Sequence, residues 1–263
     1  MYRIMSKFLE TKELENIIDE KDLLIIDTRS FKEYSEGHIP NSVNLDLFSL
    51  HWLDSSKTGI DAFSSQMEKI FSFAGITYEK KIVFYDDISG MLAARGVWIM
   101  MYFSHTQTFM LDGGFKKWKL ENRQIDKKIN PFKPSKFKAK INPDVLVGFE
   151  YLEKNLKNLT IIDVRSKEEF NGTLIRAARG GHIPNAINID WNVNIDTDGK
   201  MKNFKELNNL YDLPKDSTIV TYCQGAYRAA NTFLALKKLG YQNVKVYLGS
   251  WGEWGNKLEL PIS

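Results

Sequence analysis

Short runs of β-branched and aromatic residues, with no alternation of polar side chains, recur at residues 24–26, 82–85, 161–164 and 219–222. Strands covered on both faces read this way, because neither face tolerates a polar side chain. Stretches with helical spacing lie between them, so the pattern predicts an α/β fold of mainly parallel sheets flanked by helices. The clearest helical stretch is "YRAANTFLALKKLGY", residues 227–241. With the residue before it, this stretch sets Ala226, Ala229, Ala230 and Phe233 on one face. Lys237 and Lys238 complement the C-terminal end of the helix dipole, and Gly240 stands where a left-handed cap closes such a helix.

The pattern is written twice. "LLIIDTRSFKEYSEGHIPNSVNLD" at 23–46 returns as "LTIIDVRSKEEFNGTLIRAARGGHIPNAINID" at 159–190. "KIVFYDD" at 81–87 returns as "TIVTYCQ" at 218–224, and "GGFKKW" at 113–118 as "GSWGEW" at 249–254. Two copies of so long a unit, in the same order, predict a duplicated domain rather than a solenoid. Residues 130–143 carry Pro131, Pro134 and Pro143 among lysines, which suits an extended linker. The expected domains are therefore 1–129 and 144–263, joined by 130–143.

Composition narrows the function. The chain has 263 residues, 43% hydrophobic, enough for two medium cores. Its 36 basic and 33 acidic residues are spread evenly, with no block of like charge for a nucleic-acid partner. The opening "MYRIMSKFLETKEL" is broken by charge too often for a signal peptide, and the longest apolar run, 97–103, is far short of a bilayer span. A lone cysteine cannot close an internal disulfide, which favours a reducing compartment; the expectation is a cytoplasmic protein without a membrane partner.

That cysteine, Cys223, directly follows the run 219–222, at the carboxyl end of a predicted strand, where ligands of parallel sheets settle. Cys223 to Arg228 then forms a tight strand-to-helix turn containing Gln224, Gly225, Ala226 and Tyr227. Backbone N–H groups converging there, with a helix N-terminus behind them, bind anions and favour a thiolate, the nucleophilic form of cysteine. Arg228 in the first helical turn is unfavourable by about 0.3–1 kcal/mol unless a negative charge lies nearby, and a bound anion or thiolate would supply it. The competing reading is a small buried core cysteine with no chemistry.

These residues resemble the rhodanese family, specifically its tandem-domain sulfurtransferases. The likeness spans nearly the whole chain: the "IIDVR" strand, the "GHIPNAINID" segment, the cysteine heading a six-residue loop and the closing "GSWGEW". It implies two similar domains of which the C-terminal one is catalytic, since Asp86 stands where Cys223 stands and a carboxylate cannot carry a persulfide. The implied reaction moves a sulfane sulfur from a donor to cyanide or a thiol through a Cys223 persulfide, held by the loop amides of Gln224, Gly225, Ala226, Tyr227 and Arg228. No metal or organic cofactor is required.

The loop "CQGAYR" matches neither the mercaptopyruvate pattern Cys-Gly-Ser/Thr-Gly-Val-Thr nor the animal thiosulfate pattern Cys-Arg-Lys-Gly-Val-Thr. Its terminal guanidinium could hold a sulfonate-like oxyanion by paired hydrogen bonds, so thiosulfate is the expected donor and 3-mercaptopyruvate the alternative. Arg179, in a segment longer in the second copy, matches a substrate-binding arginine of the family, and replacing it with Ala is expected to weaken donor binding. Arg95 matches a position that reaches an interdomain site; exposed-loop and domain-docking roles are the respective alternatives. His38 and His182 occur in both copies and are read as structural. Asp27 with Arg29, and Asp163 with Arg165, are read as fold-holding pairs. Two other functions compete: a cysteine phosphatase, whose Cys-x5-Arg loop is one residue longer than Cys223-x4-Arg228, and a non-catalytic rhodanese-like sensor module.

Overall fold

The computed structural model describes residues 7–263; residues 1–6, where the stretch read for a leader begins, lie outside the described residues. The chain forms two compact units. Among the described residues, unit 1 comprises 7–50, Ser64–Ile141 and Ile195–Met201, and unit 2 comprises His51–Phe63, Asn142–Asn194 and Lys202–Ser263.

Unit 1 holds β1 (Phe8–Leu9), α1 (Thr11–Ile17), β2 (Leu23–Asp27), α2 (Phe31–Glu36), β3 (Val43–Asn44), the part of α3 (Lys57–Phe73) from Ser64 onward, β4 (Lys81–Tyr85), α4 (Met91–Tyr102), β5 (Thr108–Leu111) and α5 (Gly114–Leu120). Its five strands are ordered β1-β5-β4-β2-β3, and every pairing is parallel. Unit 2 holds β6 (Leu146–Val147), α6 (Phe149–Asn155), β7 (Thr160–Asp163), α7 (Lys167–Phe170), β8 (Ile187–Asn188), α8 (Phe204–Leu210), β9 (Ile219–Tyr222), α9 (Tyr227–Lys238), β10 (Val244–Tyr247) and α10 (Ser250–Trp254). Its order, β6-β10-β9-β7-β8, is the same arrangement, again all parallel. The predicted α/β duplication is thus observed. β4 and β9 are the middle strands, and all four residues of β9 are buried, as its unbroken apolar run required.

Matching local devices build the two copies. Ser30 caps α2 in a capping box with Glu33, and Ser166 caps α7 in the same way with Glu169. Each closing aromatic motif enters a core. Phe115 and Trp118 pack with Leu14, Ile25 and Val83; Trp251 and Trp254 pack with Leu152, Ile161 and Val220. The indole N–H of Trp118 donates to the Gln124 carbonyl at 2.7 Å, and that of Trp254 to the Pro261 carbonyl at 2.7 Å, so both buried donors are satisfied.

The domain limits depart from the expected 1–129 and 144–263. Residues 130–141 run extended, as their prolines dictate, yet they are not a free linker: Ser135 N–H donates to the Ser72 carbonyl at 2.7 Å, and Phe137, 5% exposed, packs against Phe71, Phe103 and Tyr78. An apolar anchor thus ties this strap to unit 1. Residues 51–63 count with unit 2, where both carboxylate oxygens of Glu253 accept from Ser55, and Ser55 Oγ in turn accepts from Phe149 N–H at 2.9 Å. Residues 195–201 count with unit 1, where Met201 N–H donates to Asp112 Oδ1 at 2.9 Å.

Helix α9 also differs from a one-faced amphipathic helix. Tyr227 and the run 229–236 are all buried. One side lies on the sheet, and the other meets a turn of 3-10 helix, Trp191–Asn194, whose Asn194 amide donates to Asn231 Oδ1 and Thr232 Oγ1. These bonds satisfy polar groups that would otherwise make burial of that face costly. Its expected C-terminus is present: Gly240 has φ +86, and Tyr241 N–H reaches back to the Leu236 carbonyl at 3.1 Å.

Candidate active site

Strand β9 ends at Tyr222, which puts Cys223 at the carboxyl edge of the middle strand of its sheet. The side chain is buried, 1% exposed. Residues 223–226 form the turn and α9 starts at Tyr227, with Ala226 as a left-handed N-cap at φ 65. The turn is anchored from α10: Trp251 N–H donates to the Cys223 carbonyl at 2.8 Å and Gly252 N–H to the Gln224 carbonyl at 2.9 Å. Unit 1 repeats the frame. Phe115 N–H donates to the Asp86 carbonyl and Lys116 N–H to the Asp87 carbonyl, each at 2.8 Å.

Within that frame the two side chains differ. Asp86 accepts from the amides of Gly90 and Leu92 at 3.0 Å and of Ala93 at 3.2 Å, so it caps the amino end of α4. Burial pushes its carboxyl up to about 6, against those three amides, which favour the charged form. The residue at this position therefore faces the start of the following helix. In unit 2 that residue is a thiol.

The cation next to it is held by a carboxylate. Arg228 Nη1 and Nη2 donate to the two oxygens of Glu169 at 2.6 and 3.0 Å, and Glu169 is only 2% exposed. Burial alone would lower the Arg228 value; the bond to Glu169 and the electrostatic interaction with Cys223 reverse this and raise it. Burial likewise works to raise the Glu169 carboxyl, and Arg228 overrides it, so the net shift is downward. In place of the expected bound anion or thiolate, the principal partner of Arg228 is Glu169. A fork already spent on that carboxylate cannot offer the same paired bonds to a sulfonate.

The Rhodanese-like domain family matches the chain twice, at residues 10–121 and 149–257. This chain belongs to the rhodanese-like family. The thiosulfate sulfurtransferases of Azotobacter vinelandii and Pseudomonas aeruginosa are 30% and 29% identical to it over 259 residues, covering 97% of this chain and 96% of each relative. The crystal structure of the 3-mercaptopyruvate sulfotransferase SseA from Escherichia coli superposes with a TM-score of 0.78 at 27% identity, covering 94% of this chain and all of that one.

In the C-terminal rhodanese-like unit, the remaining turn residues are each fixed by a neighbour. Gln224 Nε2 donates to the Arg176 carbonyl at 2.9 Å, which ties the longer loop of this copy to the turn. Gly225 lies under the imidazole of His51: a Cβ on it would stand 2.0 Å from Cε1, so a larger residue would have to push the exposed imidazole aside. His51 also lies parallel to the Tyr227 ring, centroids 5.8 Å apart. The amides of Cys223 and Ala226 both donate to Ser250 Oγ.

The two other arginines lie outside the turn. Arg179 donates to five backbone carbonyls, among them Lys257 at 2.6 Å, Leu260 at 2.8 Å and Trp254 at 2.9 Å. Its guanidinium is consumed in folding the C-terminal segment, which removes the expected donor-binding role. Arg95 belongs to unit 1, buried on α4 with Cζ 5.9 Å from the Trp98 ring and Nη2 3.4 Å from the Leu50 carbonyl. His38 and His182 each bond a carbonyl through Nδ1, to Tyr34 at 2.8 Å and Phe170 at 3.0 Å, and stack on those rings. Asp27 pairs with Arg29 and Asp163 with Arg165, both at 2.6 Å.

Sequence reasoning missed Glu169, Ser250 and His51. Glu169 was visible as the fourth residue of a capping box, and Ser250 as the one small difference between "GG" and "GS" in the closing motifs. His51 carried no signal, because nothing in the order of residues assigns 51–63 to the second unit. No cluster of metal-ligating side chains occurs among the described residues.

Proposed function

We propose that this rhodanese-like protein is a sulfurtransferase that moves the sulfane sulfur of thiosulfate to a nucleophile through a persulfide on Cys223. The observation that carries this is the contrast between Cys223 and Asp86, a thiol and a carboxylate at the same place in two copies of one backbone frame. In the first half-reaction the Cys223 thiolate attacks the outer sulfur of thiosulfate. A sulfur–sulfur bond forms on the enzyme, the one in thiosulfate breaks, and its electron pair leaves with sulfite. In the second, cyanide or a thiol attacks the terminal sulfur of the persulfide and releases the thiolate, so no external oxidant or reductant is consumed.

Arg228 serves this cycle as a cation beside the Cys223 turn, with Glu169 keeping it in place. The amides of Gln224, Gly225, Tyr227 and Arg228 are the groups assigned to the charge on the persulfide, that of Ala226 being taken by Ser250 Oγ. Asp86 makes the N-terminal unit chemically inert. The partners are small molecules, with no nucleic acid, and the compartment is the cytoplasm, which accords with the single cysteine; no helix among the described residues is long and apolar enough to cross a membrane. Thiol-based phosphate hydrolysis is disfavoured by the short Cys223-x4-Arg228 spacing and by the commitment of Arg228 to Glu169.

The test is a comparison of initial rates with thiosulfate and 3-mercaptopyruvate, using cyanide as acceptor. Faster transfer from thiosulfate is expected. A strong preference for 3-mercaptopyruvate would overturn the donor, and no transfer from either would overturn the function.

A further inference from the structure

The two units place one serine hydroxyl on opposite sides of the same contact. In unit 1 the residue facing the turn is Gly114, left-handed at φ +56, and a Cβ there would stand 2.5 Å from the Asp86 carbonyl oxygen and 2.6 Å from the Ile88 amide. The hydroxyl comes instead from the turn: Ser89 Oγ accepts from Gly113 N–H at 2.8 Å and donates to Asp112 Oδ1 at 2.7 Å. In unit 2 the residue aligned with Ser89 is Ala226, and the one aligned with Gly114 is Ser250, left-handed at φ 53. Ser250 Oγ accepts from Cys223 N–H at 3.2 Å and Ala226 N–H at 3.1 Å, and donates to the Tyr247 carbonyl at 2.9 Å.

A hydroxyl has one proton to give and two lone pairs to fill, and Ser250 uses all three while wholly buried. Its backbone conformation is one that glycine adopts freely and serine does not. Gly114 shows that the frame stands without a side chain at this position. The strained serine is therefore explained by what its hydroxyl holds. It grips the amide of the nucleophile itself and the amide of the left-handed residue that closes the turn, so it fixes the peptide planes at both ends of the four residues beside the sulfur.

We propose that Ser250 is a positioning residue for sulfur transfer, holding the Cys223–Ala226 turn in its reactive shape before a donor arrives. This rests on the Cys223 persulfide reading and adds to it the group that preorganises the turn. Fixing the turn in advance removes reorganisation from the reaction itself.

The experiment compares wild type, Ser250→Gly and Ser250→Thr for persulfide formation by intact mass, for kcat and KM with thiosulfate, and for Tm. Ser250→Gly relieves the left-handed strain, as Gly114 does in unit 1, and is expected to keep its Tm while kcat falls about a hundredfold with KM little changed. Ser250→Thr keeps the hydroxyl on a residue still less suited to this conformation, so it is expected to lose Tm and retain most of kcat. Activity and stability then move in opposite directions in the two variants, which a merely structural role does not produce. Wild-type kcat in Ser250→Gly, or a kcat that tracks Tm across both variants, overturns the proposal. A wild-type protein that gains no sulfur overturns the Cys223 reading instead.

Discussion

At the residue scale, one position in a repeated frame has taken two opposite employments. Asp86 terminates a helix with three amide bonds, at the cost of a buried carboxylate. Because burial raises its value from 3.8 to about 6, the folded state holds the proton more tightly than the unfolded one between those limits, and stability falls as pH rises through that window. The shift corresponds to about 3 kcal/mol. Asp86→Asn removes this group's titration, so between pH 4 and pH 7 its unfolding free energy should change more favourably than that of wild type by about that amount. Parallel profiles in denaturant titrations at the two pH values would refute the assignment. Glu169 has the opposite sign: its depressed value adds stability above the ordinary glutamate range, lost as pH falls through the folded value. Removing one partner of so enclosed a pair is expensive, and Glu169→Gln should cost about 3 kcal/mol of stability and lower the rate of persulfide formation. A loss below about 1 kcal/mol, the range of exposed pairs, would mean that Arg228 does not depend on Glu169.

At the scale of elements, the middle strand, the turn and α9 were legible because each is specified locally. The run 219–222 has one apolar character, the glycine at 240 has one conformational use, and both stand where expected. A Cβ on Gly240 would meet nothing within 4 Å, so Gly240→Ala isolates the cost of the left-handed backbone and should destabilise by about 1 kcal/mol in equilibrium unfolding without altering kcat. The longer loop at 172–181 was legible only as an insertion. Which of its arginines would face a substrate depended on where the C-terminal residues return, and no local pattern encodes that return. Arg179→Ala should accordingly lower Tm and speed hydrogen exchange at residues 254–260, with the KM for thiosulfate within about twofold of wild type, since the loss is of packing bonds and not of donor contacts. A KM increase of tenfold at unchanged Tm would restore the donor-binding role.

At the scale of the molecule, the duplication was readable from paired segments, and so was the asymmetry that gives a thiol to one of the two similar units and none to the other. The limits of the units were not readable, because residues 51–63 and 195–201 are assigned by distant partners such as Glu253 and Asp112. The same holds for Glu169, whose role depends on a guanidinium 59 positions along the chain. What the two sheets share is the frame, and what distinguishes them is the atom at its centre. The most direct measurement is the mass of the intact protein after incubation with thiosulfate and removal of excess donor, for wild type and Cys223→Ser. One added sulfur atom per chain in wild type and none in Cys223→Ser is the expected result; no added sulfur in wild type, or an equal gain in both, would contradict it.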